Sequence, residues 1–180
     1  MLGIAASSKT YQNLMHTKEC VINLPSVAEV VEVDRLALTT GAQPVPERKL
    51  RRGYRYDPDK FVVDGLTQTP SEIVAPPRVK ECPIQLEGVV EEVHVVASNT
   101  DDLRGFVVCF ETRILRGYAE ETLLASGEGN RVDPNKWRPL IMSSQKFYGL
   151  GPELHTSMQA TIPERAYYTS DIDRARGVRS

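Results

Sequence analysis

The sequence predicts a mainly β fold, a Greek-key barrel with a few short helices. Apolar and polar residues alternate over residues 84–95 and again over residues 106–114, which is the period of a β-strand. A turn-forming cluster at residues 99–102 lies between these stretches and predicts a hairpin. The alternation changes phase at Gly88, which indicates a bulge or a sharp bend. Long bent strands of this kind are typical of a small Greek-key barrel.

The N-terminal segment predicts a strand, a turn, a helix and a second strand. A short apolar run precedes Ser7, Ser8, Lys9 and Thr10, and a helical stretch then leads to a strand over residues 20–24. Ser8 or Thr10 would cap the helix, because small hydroxyl side chains accept hydrogen bonds from unpaired backbone N–H groups. The turn also offers an anion N–H donors, the positive end of the helix dipole, hydroxyls and a lysine. Our hypothesis is a phosphate site at these four residues, and the alternative is an ordinary helix cap.

A helix follows the second strand, and an irregular region follows the helix. Ser26 and Glu29 form the pattern of a capping box, and Gly41 is predicted to end the helix. Prolines are then frequent, which favours turns over long strand ladders. Within this region a short helix is predicted, with Pro58 at its first position and Gly65 at its end.

The second strand of the predicted hairpin carries a signal for association. Phe106, Val108, Phe110, Thr112 and Ile114 alternate with other residues and are predicted to face the core. Residues 107–109 are apolar on both faces of the strand, so a second surface should cover the outer face. We therefore expect a partner subunit on that side and predict a homodimer.

The composition restricts the possible partners. The chain has 180 residues, 22 Lys and Arg against 24 Asp and Glu, and a net charge of −2, so no basic field favours nucleic acid or a membrane surface. No apolar stretch approaches the roughly 20 residues of a membrane-spanning helix. The three cysteines are widely spaced and indicate no disulfide framework, and Cys82 is interpreted as a buried structural thiol. We expect a cytoplasmic protein with neither nucleic-acid nor membrane partners.

Several segments together carry a resemblance to a known family. The Ser-Ser-Lys-Thr turn and the strand ending in Val-Ile-Asn-Leu-Pro come first. Three further segments follow: residues 74–87 (VAPPRVKECPIQLE), residues 130–141 (NRVDPNKWRPLI) and residues 146–151 (KFYGLG). These segments and their order resemble the flavin reductase-like family, the FMN-binding split barrels that include flavoredoxins. The resemblance implies that the predicted barrel is a Greek-key split β-barrel of the FMN-binding type.

The resemblance also implies a flavin oxidoreductase. FMN would be the cofactor, with its phosphate held by Ser7, Ser8, Lys9 and Thr10, and NADH or NADPH would donate the electrons. Tyr148 would lie beside the isoalloxazine ring, and the alternative for this residue is aromatic packing. The electrons would pass to free flavin, an oxygenase partner or another acceptor. No residue is assigned to catalysis, because a protein that relies on a cofactor supplies mainly binding and orientation.

The resemblance extends to about Gly151 and sets the expected domain organisation. Residues 1–151 are expected to form the flavin reductase-like domain, and residues 152–180 an extended or partly disordered tail. In the family two or three strands precede the segment that starts here at Met1, so we expect the first strands of the barrel to be missing. The alternative function is therefore a non-catalytic flavin-binding or dimerisation module.

Overall fold

The structure is a computed structural model that describes residues 1–127, 131–167 and 169. Its strands in chain order are β1 (Leu2–Ala5), β2 (Glu19–Leu24), β3 (Thr39–Thr40), β4 (Arg55–Tyr56), β5 (Gln68–Thr69), β6 (Arg78–Val79), β7 (Ile84–Val95), β8 (Val107–Ala119), β9 (Ile141–Ser143) and β10 (Lys146–Tyr148). Its α-helices are α1 (Lys9–Thr17), α2 (Val30–Arg35), α3 (Glu47–Leu50), α4 (Lys60–Asp64) and α5 (Pro134–Trp137). The longest elements are strands and the helices are short, which confirms the predicted mainly β class.

A bent antiparallel sheet forms the centre of the fold. Its strand order is β1, β8, β7, β2, so β1 and β2 are the edges and the β7–β8 hairpin is the middle. The register of the hairpin shifts between Glu87 and Gly88 and again between Val90 and Glu92, which confirms the predicted bulge. A Cβ atom on Gly88 would lie 2.8 Å from the carbonyl oxygen of Arg113, so this close approach of two strands requires glycine.

The core lies where α1 packs on the sheet. Leu14 of α1 contacts Val108 and Phe110 of β8, and Phe110 is fully buried. The prediction that Phe106 and Ile114 face the same core is wrong, because they are 49% and 41% exposed. The guanidinium of Arg48 lies 4.9 Å from the ring centroid of Phe106. Phe106 lies in the turn before β8, where the alternation of a strand does not apply.

The helix after β2 is capped as predicted but ends early. Ser26 and Glu29 form both hydrogen bonds of the capping box, which starts with a 3-10 turn. The helix then ends at Arg35, so the prediction that it continues to Gly41 is wrong. The residues between Arg35 and Gly41 do not continue the helix, because Thr39 and Thr40 form β3, which pairs in parallel with β4. A distant strand thus decides where this helix ends.

The short helix of the proline-rich region begins later than predicted. Asp59 is its N-cap, with a carboxylate oxygen that accepts the N–H groups of the second and third helical residues at 3.1 and 3.2 Å. Lys60 is therefore the first helical residue, and the prediction of Pro58 at that position is wrong. Gly65 ends the helix in the left-handed conformation at φ 76°, as predicted.

The chain divides into two compact units, Met1–Leu150 and Gly151–Ser180. In the second unit the described residues include 3-10 turns at Met158–Thr161 and Glu164–Tyr167. The remainder of the predicted tail, residues 168 and 170–180, lies outside the described residues, as does Asn130. No helix in the described part of the chain is long and apolar enough to cross a membrane.

Candidate functional site

The residues of the predicted phosphate site lie at the N-terminus of α1. Ser8 is the N-cap, and its Oγ atom accepts a hydrogen bond from the N–H of Tyr11 at 3.0 Å, which confirms the capping role of this residue. Lys9 and Thr10 are the first two residues of the helix and are exposed, and Ser7 lies in the exposed turn before the cap. The positive end of a nine-residue helix dipole therefore points from this turn toward solvent.

A cavity of about 350 Å³ opens beside this helix terminus. Its volume lies in the range of small-molecule sites, roughly 300–1,000 Å³. Its walls come from α1, from the segments around β3 and β4 and from the start of α4: Lys9, Thr10, Asn13, Gly41, Tyr56, Pro58 and Lys60. Two of the four predicted phosphate residues, Lys9 and Thr10, are thus brought together with groups from far along the chain, whereas Ser7 and Ser8 are outside the lining.

The pairing of two short strands builds one wall of the cavity. Thr40 of β3 lies opposite Tyr56 of β4, and Gly41 follows directly. A Cβ atom on Gly41 would lie 3.3 Å from the Cγ atom of Lys9, so the backbone packs closely against the lysine stem. The capped start of α4 places Lys60 on the other wall. The cavity therefore depends on the proline-rich region folding back onto α1.

Lys60 is chemically the most unusual residue of the cavity. Its Nζ atom is excluded from solvent and has no hydrogen-bond partner among the described residues. Burial lowers the pKa of this ammonium group; the Asp57 carboxylate opposes the change, and the cations Arg55 and Lys49 add to it. An unpaired cation out of contact with water is costly. A bound anion in the cavity would remove this cost, so Lys60 is suited to hold one.

The other lining groups complement an anion. Lys9 carries a second positive charge, Thr10 a hydroxyl donor and Asn13 an amide donor. Asn13 lies one helical turn after Lys9 and Thr10, so the three side chains share one face of α1. The helical spacing alone could have identified Asn13. No local signal marks Lys60, because nothing near it in the sequence indicates that it meets α1.

Tyr148 lies in the hairpin formed by β9 and β10. It pairs with Ile141 across β9 and β10, and its side chain is 49% exposed. It is not among the residues that line the cavity. The structure does not bring it to the anion-binding groups, so its position beside a flavin ring stays a prediction.

Cys82 and the metal-ligating side chains of the described residues give no second candidate for chemistry. Cys82 is 5% exposed, and burial, with the carboxylates Glu29, Glu81 and Asp64 nearby, raises the pKa of its thiol to about 12. Its interpretation as a buried structural thiol is confirmed, because such a thiol is not a nucleophile near neutral pH. Among the described residues no group of three or more His, Cys, Asp or Glu side chains could hold a metal ion.

Comparison with known proteins identifies the family of this chain. The model of the flavin reductase like domain matches residues 1–150 of the chain. The uncharacterized protein YdfE of Bacillus subtilis (strain 168) is 34% identical over 154 residues, which are 86% of this chain and 71% of YdfE.

Two solved structures share the fold. Flavoredoxin of Desulfovibrio vulgaris (Miyazaki F) superposes with a TM-score of 0.65 at 24% identity, over 87% of this chain and 72% of that chain. Nitrilotriacetate monooxygenase component B from Bacillus cereus also gives a TM-score of 0.65, at 19% identity over 86% of this chain and 70% of that chain. The predicted split-barrel fold is confirmed by this likeness. Because the family model matches residues 1–150 of the chain, the chain belongs to the flavin reductase-like domain family.

Proposed function

We propose that this chain is an FMN-binding oxidoreductase that holds the flavin phosphate in the cavity beside α1. The observation that carries the proposal is the Nζ atom of Lys60, buried and unpartnered in the described residues, next to Lys9 and Thr10 at a helix N-terminus. A phosphate would accept charge-assisted hydrogen bonds from both lysines and a hydrogen bond from the Thr10 hydroxyl. Ser7 would contribute from the adjoining turn, while Ser8 keeps the turn in place through its cap.

Family membership supports flavin chemistry, and the electron path is our proposal. A bound flavin would supply hydride acceptance from NADH or NADPH and electron transfer to an acceptor. The residues of the chain bind and orient the cofactor. The likeness to a monooxygenase component B supports an oxygenase partner as one acceptor, with free flavin as another.

The proposal includes a homodimer. Ile141, Met142 and Tyr148 of the β9–β10 hairpin are 39%, 59% and 49% exposed, and an exposed apolar group of this kind supports association. The exposed ring of Tyr148 would then be available to a flavin ring. We further propose that residues 1–151 carry the flavin site, that residues 152–180 are a separate tail, and that the protein is cytoplasmic. The three unpaired cysteines support that location.

The test is a titration of the purified chain with FMN, followed by flavin fluorescence. We expect Lys60→Met and Thr10→Ala each to weaken binding by about 1–3 kcal/mol, because each removes a hydrogen bond to a charged group. Lys9→Ala should act in the same direction. Lys80→Met is the matched control, since Lys80 is an exposed lysine outside the cavity lining and should leave the dissociation constant unchanged.

The outcomes separate the proposal from its alternative. FMN binding with oxidation of NADH or NADPH supports the oxidoreductase. FMN binding without that oxidation favours a non-catalytic flavin-binding module. Binding that is insensitive to all three cavity substitutions contradicts the phosphate site, and a wild-type chain that binds no FMN contradicts the proposal as a whole.

A further inference from the structure

The side chain of Lys60 has a chemical capacity that phosphate binding does not use. Its Nζ atom is excluded from solvent and has no hydrogen-bond partner among the described residues, and the ion pairs in that part of the chain do not include it. A lysine amine is a nucleophile only when it is neutral, and removal from water together with nearby cations favours the neutral form. Lys60 therefore has the surroundings of a reactive amine.

The charges around Lys60 act in the same direction as its burial. Burial lowers the pKa of the Lys60 ammonium, and the cations Arg55 and Lys49 add to this change against the opposing Asp57 carboxylate. That carboxylate is partly engaged elsewhere, because it accepts a hydrogen bond from the N–H of Asp59 at 3.2 Å. The free chain thus holds more neutral amine at this position than a fully solvated lysine would.

The start of α4 fixes the position of this amine. Asp59 caps the helix, and its carboxylate accepts two backbone N–H groups of the first turn at 3.1 and 3.2 Å. Lys60 is the first helical residue and lines the same cavity as Lys9 and Thr10. A capped turn therefore holds a nucleophile next to the groups that are suited to a phosphate.

The cavity has room for more than a phosphate ion. Its volume is about 350 Å³, and Gly41 and Pro58 add walls that carry no competing nucleophile. Lys9 and the N-terminus of α1 can hold a phosphate without Lys60, so the amine stays available. An acyl phosphate has a phosphate and, one oxygen atom away, a carbonyl carbon that amines attack. It is the class of molecule that matches both halves of this cavity.

We propose that Lys60 is a modification site, acylated by small acyl phosphates that bind in the cavity beside α1, and that acylation weakens the binding of FMN. The first part concerns the chemistry of the cavity alone. The second part rests on the proposed function, because it requires the flavin phosphate to occupy the same cavity.

The reaction needs no oxidant, reductant or further reactant. The lone pair of the neutral Nζ atom attacks the carbonyl carbon, and a nitrogen–carbon bond forms. The bond between that carbon and the phosphate oxygen breaks, and its electron pair leaves with the phosphate. The nitrogen gives up one proton to the departing phosphate or to water. The products are an amide on Lys60 and inorganic phosphate, and the side chain has lost its capacity for positive charge.

The test uses acetyl phosphate as the probe and peptide mass spectrometry as the measurement. We expect acetylation of Lys60 to be about tenfold faster than acetylation of Lys80, an exposed lysine outside the cavity lining, because a bound phosphate raises the local concentration of the reagent. Inorganic phosphate should slow the reaction at Lys60 and leave Lys80 unaffected. Equal rates at the two lysines would overturn the inference.

A second reagent separates phosphate recognition from general amine reactivity. The N-hydroxysuccinimide ester of acetic acid transfers the same acetyl group without a phosphate. Its preference for Lys60 over Lys80 should be smaller than that of acetyl phosphate. An equal preference with both reagents would show that the cavity does not recognise the phosphate, and the inference would fail.

Substitutions in the cavity test the same point. Lys9→Met and Thr10→Ala should each slow acetylation of Lys60 by acetyl phosphate about tenfold, since each removes a hydrogen-bond donor to the phosphate. Lys18→Met is the matched control, because Lys18 is exposed at the other end of α1 and is outside the cavity lining. Circular dichroism checks that each variant is folded, and Thr10→Ala alone decides if Lys9→Met is not.

FMN titrations test the second part of the inference. The chain acetylated at Lys60 should bind FMN about tenfold more weakly, because a charged hydrogen-bond donor is lost. Lys60→Gln, which places an uncharged amide there, should bind about as weakly and lose nothing further after treatment with acetyl phosphate. FMN added first should protect Lys60 from acetylation. Unchanged FMN affinity after acetylation of Lys60 would overturn this part.

The failure of the inference differs from the failure of the proposed function. FMN binding by a chain whose Lys60 is acetylated no faster than Lys80 refutes the modification site and leaves the proposed function standing. Preferential acetylation of Lys60 that inorganic phosphate suppresses, in a chain that binds no FMN, supports the site and contradicts the proposed function.

Discussion

Burial has opposite consequences for the anion-binding and nucleophilic chemistry of the side chains of Lys60 and Cys82. Burial works against the charged form in both, so it lowers the pKa of the Lys60 ammonium and raises the pKa of the Cys82 thiol to about 12. The thiol becomes less reactive, because the thiolate is the nucleophile. The ammonium becomes a better partner for an anion, because a bound anion removes the cost of an unpaired buried charge.

The protonation state of Lys60 predicts how FMN binding depends on pH. A phosphate binds the protonated ammonium, and the pKa of Lys60 in the free protein lies below its ordinary value. Affinity should therefore fall as the pH rises through that lowered pKa, and fluorescence titrations between about pH 7 and pH 10 would measure the fall. Lys60→Met should bind more weakly and lose this part of the dependence. An unchanged pH profile in that variant would contradict the role of Lys60.

At the scale of an element, the β7–β8 hairpin depends on one glycine. The bulge at Gly88 bends the longest pair of strands, and the strands approach so closely there that a Cβ atom would overlap the opposite backbone. A carbonyl oxygen cannot move aside as a flexible side chain can. The bend is therefore set by a backbone contact rather than by side-chain packing.

We expect Gly88→Ala to destabilise the chain by about 1–3 kcal/mol, as overpacking of a well-packed site does. The added methyl group would lie 2.8 Å from the Arg113 carbonyl oxygen and 3.0 Å from Thr112 Cγ2. Urea unfolding measures the loss. The matched control is Gly3→Ala on β1, where the added atom meets nothing within 4 Å. Equal unfolding free energies for the two variants would show that the contact at the bulge is unimportant.

At the scale of the whole molecule, the buried carboxylate of Glu87 binds the segment before β7 through hydrogen bonds. Glu87 is fully buried in β7 and accepts the N–H groups of Glu72 at 3.0 Å and Ile73 at 2.8 Å. The Nε atom of Arg78 lies 3.6 Å from the same carboxylate, and its guanidinium also binds the carbonyl of Pro70. Residues far from β7 in the chain are thus held by one side chain.

Glu87 should make the stability of the fold sensitive to acid. Burial by itself raises the pKa of its carboxyl group, but the two backbone N–H groups and Arg78 outweigh burial and hold the pKa below its usual range. A carboxyl group with a lowered folded-state pKa contributes stability above its unfolded pKa and loses it as the pH falls through the folded value. Unfolding free energies measured below about pH 5 should therefore decline.

The matched variants separate this contribution from general acid effects. Glu87→Gln should cost about 2–3 kcal/mol at neutral pH, because charged hydrogen bonds are lost, and should decline less in acid. Glu120→Gln is the control, since Glu120 is exposed and makes no side-chain capping bond. If Glu87→Gln and the wild type lose stability in parallel as the pH falls, Glu87 is not the group responsible.

Features that depend on a few neighbouring residues could be predicted from the sequence. The cap at Ser8, the bulge at Gly88 and the helix end at Gly65 follow from local backbone chemistry, and all three are confirmed. The family and its split barrel were also predicted, because several separate segments matched in order. Two of the seven residues that line the cavity, Lys9 and Thr10, were also among the predicted phosphate residues, because they are neighbours at the start of one helix.

The rest required distant parts of the chain to meet. The chain leaves α2 and enters β3, which pairs with β4, and Lys60 at the start of α4 lines the same cavity as Lys9 and Thr10 of α1. Sequence periodicity reports the faces of single elements and contains no information about which elements touch. The sequence by itself determined the fold family and the capped turn before α1. Only the tertiary structure showed that the ammonium group of Lys60 is excluded from solvent and shares a cavity with Lys9 and Thr10, because residues far apart in the chain meet there.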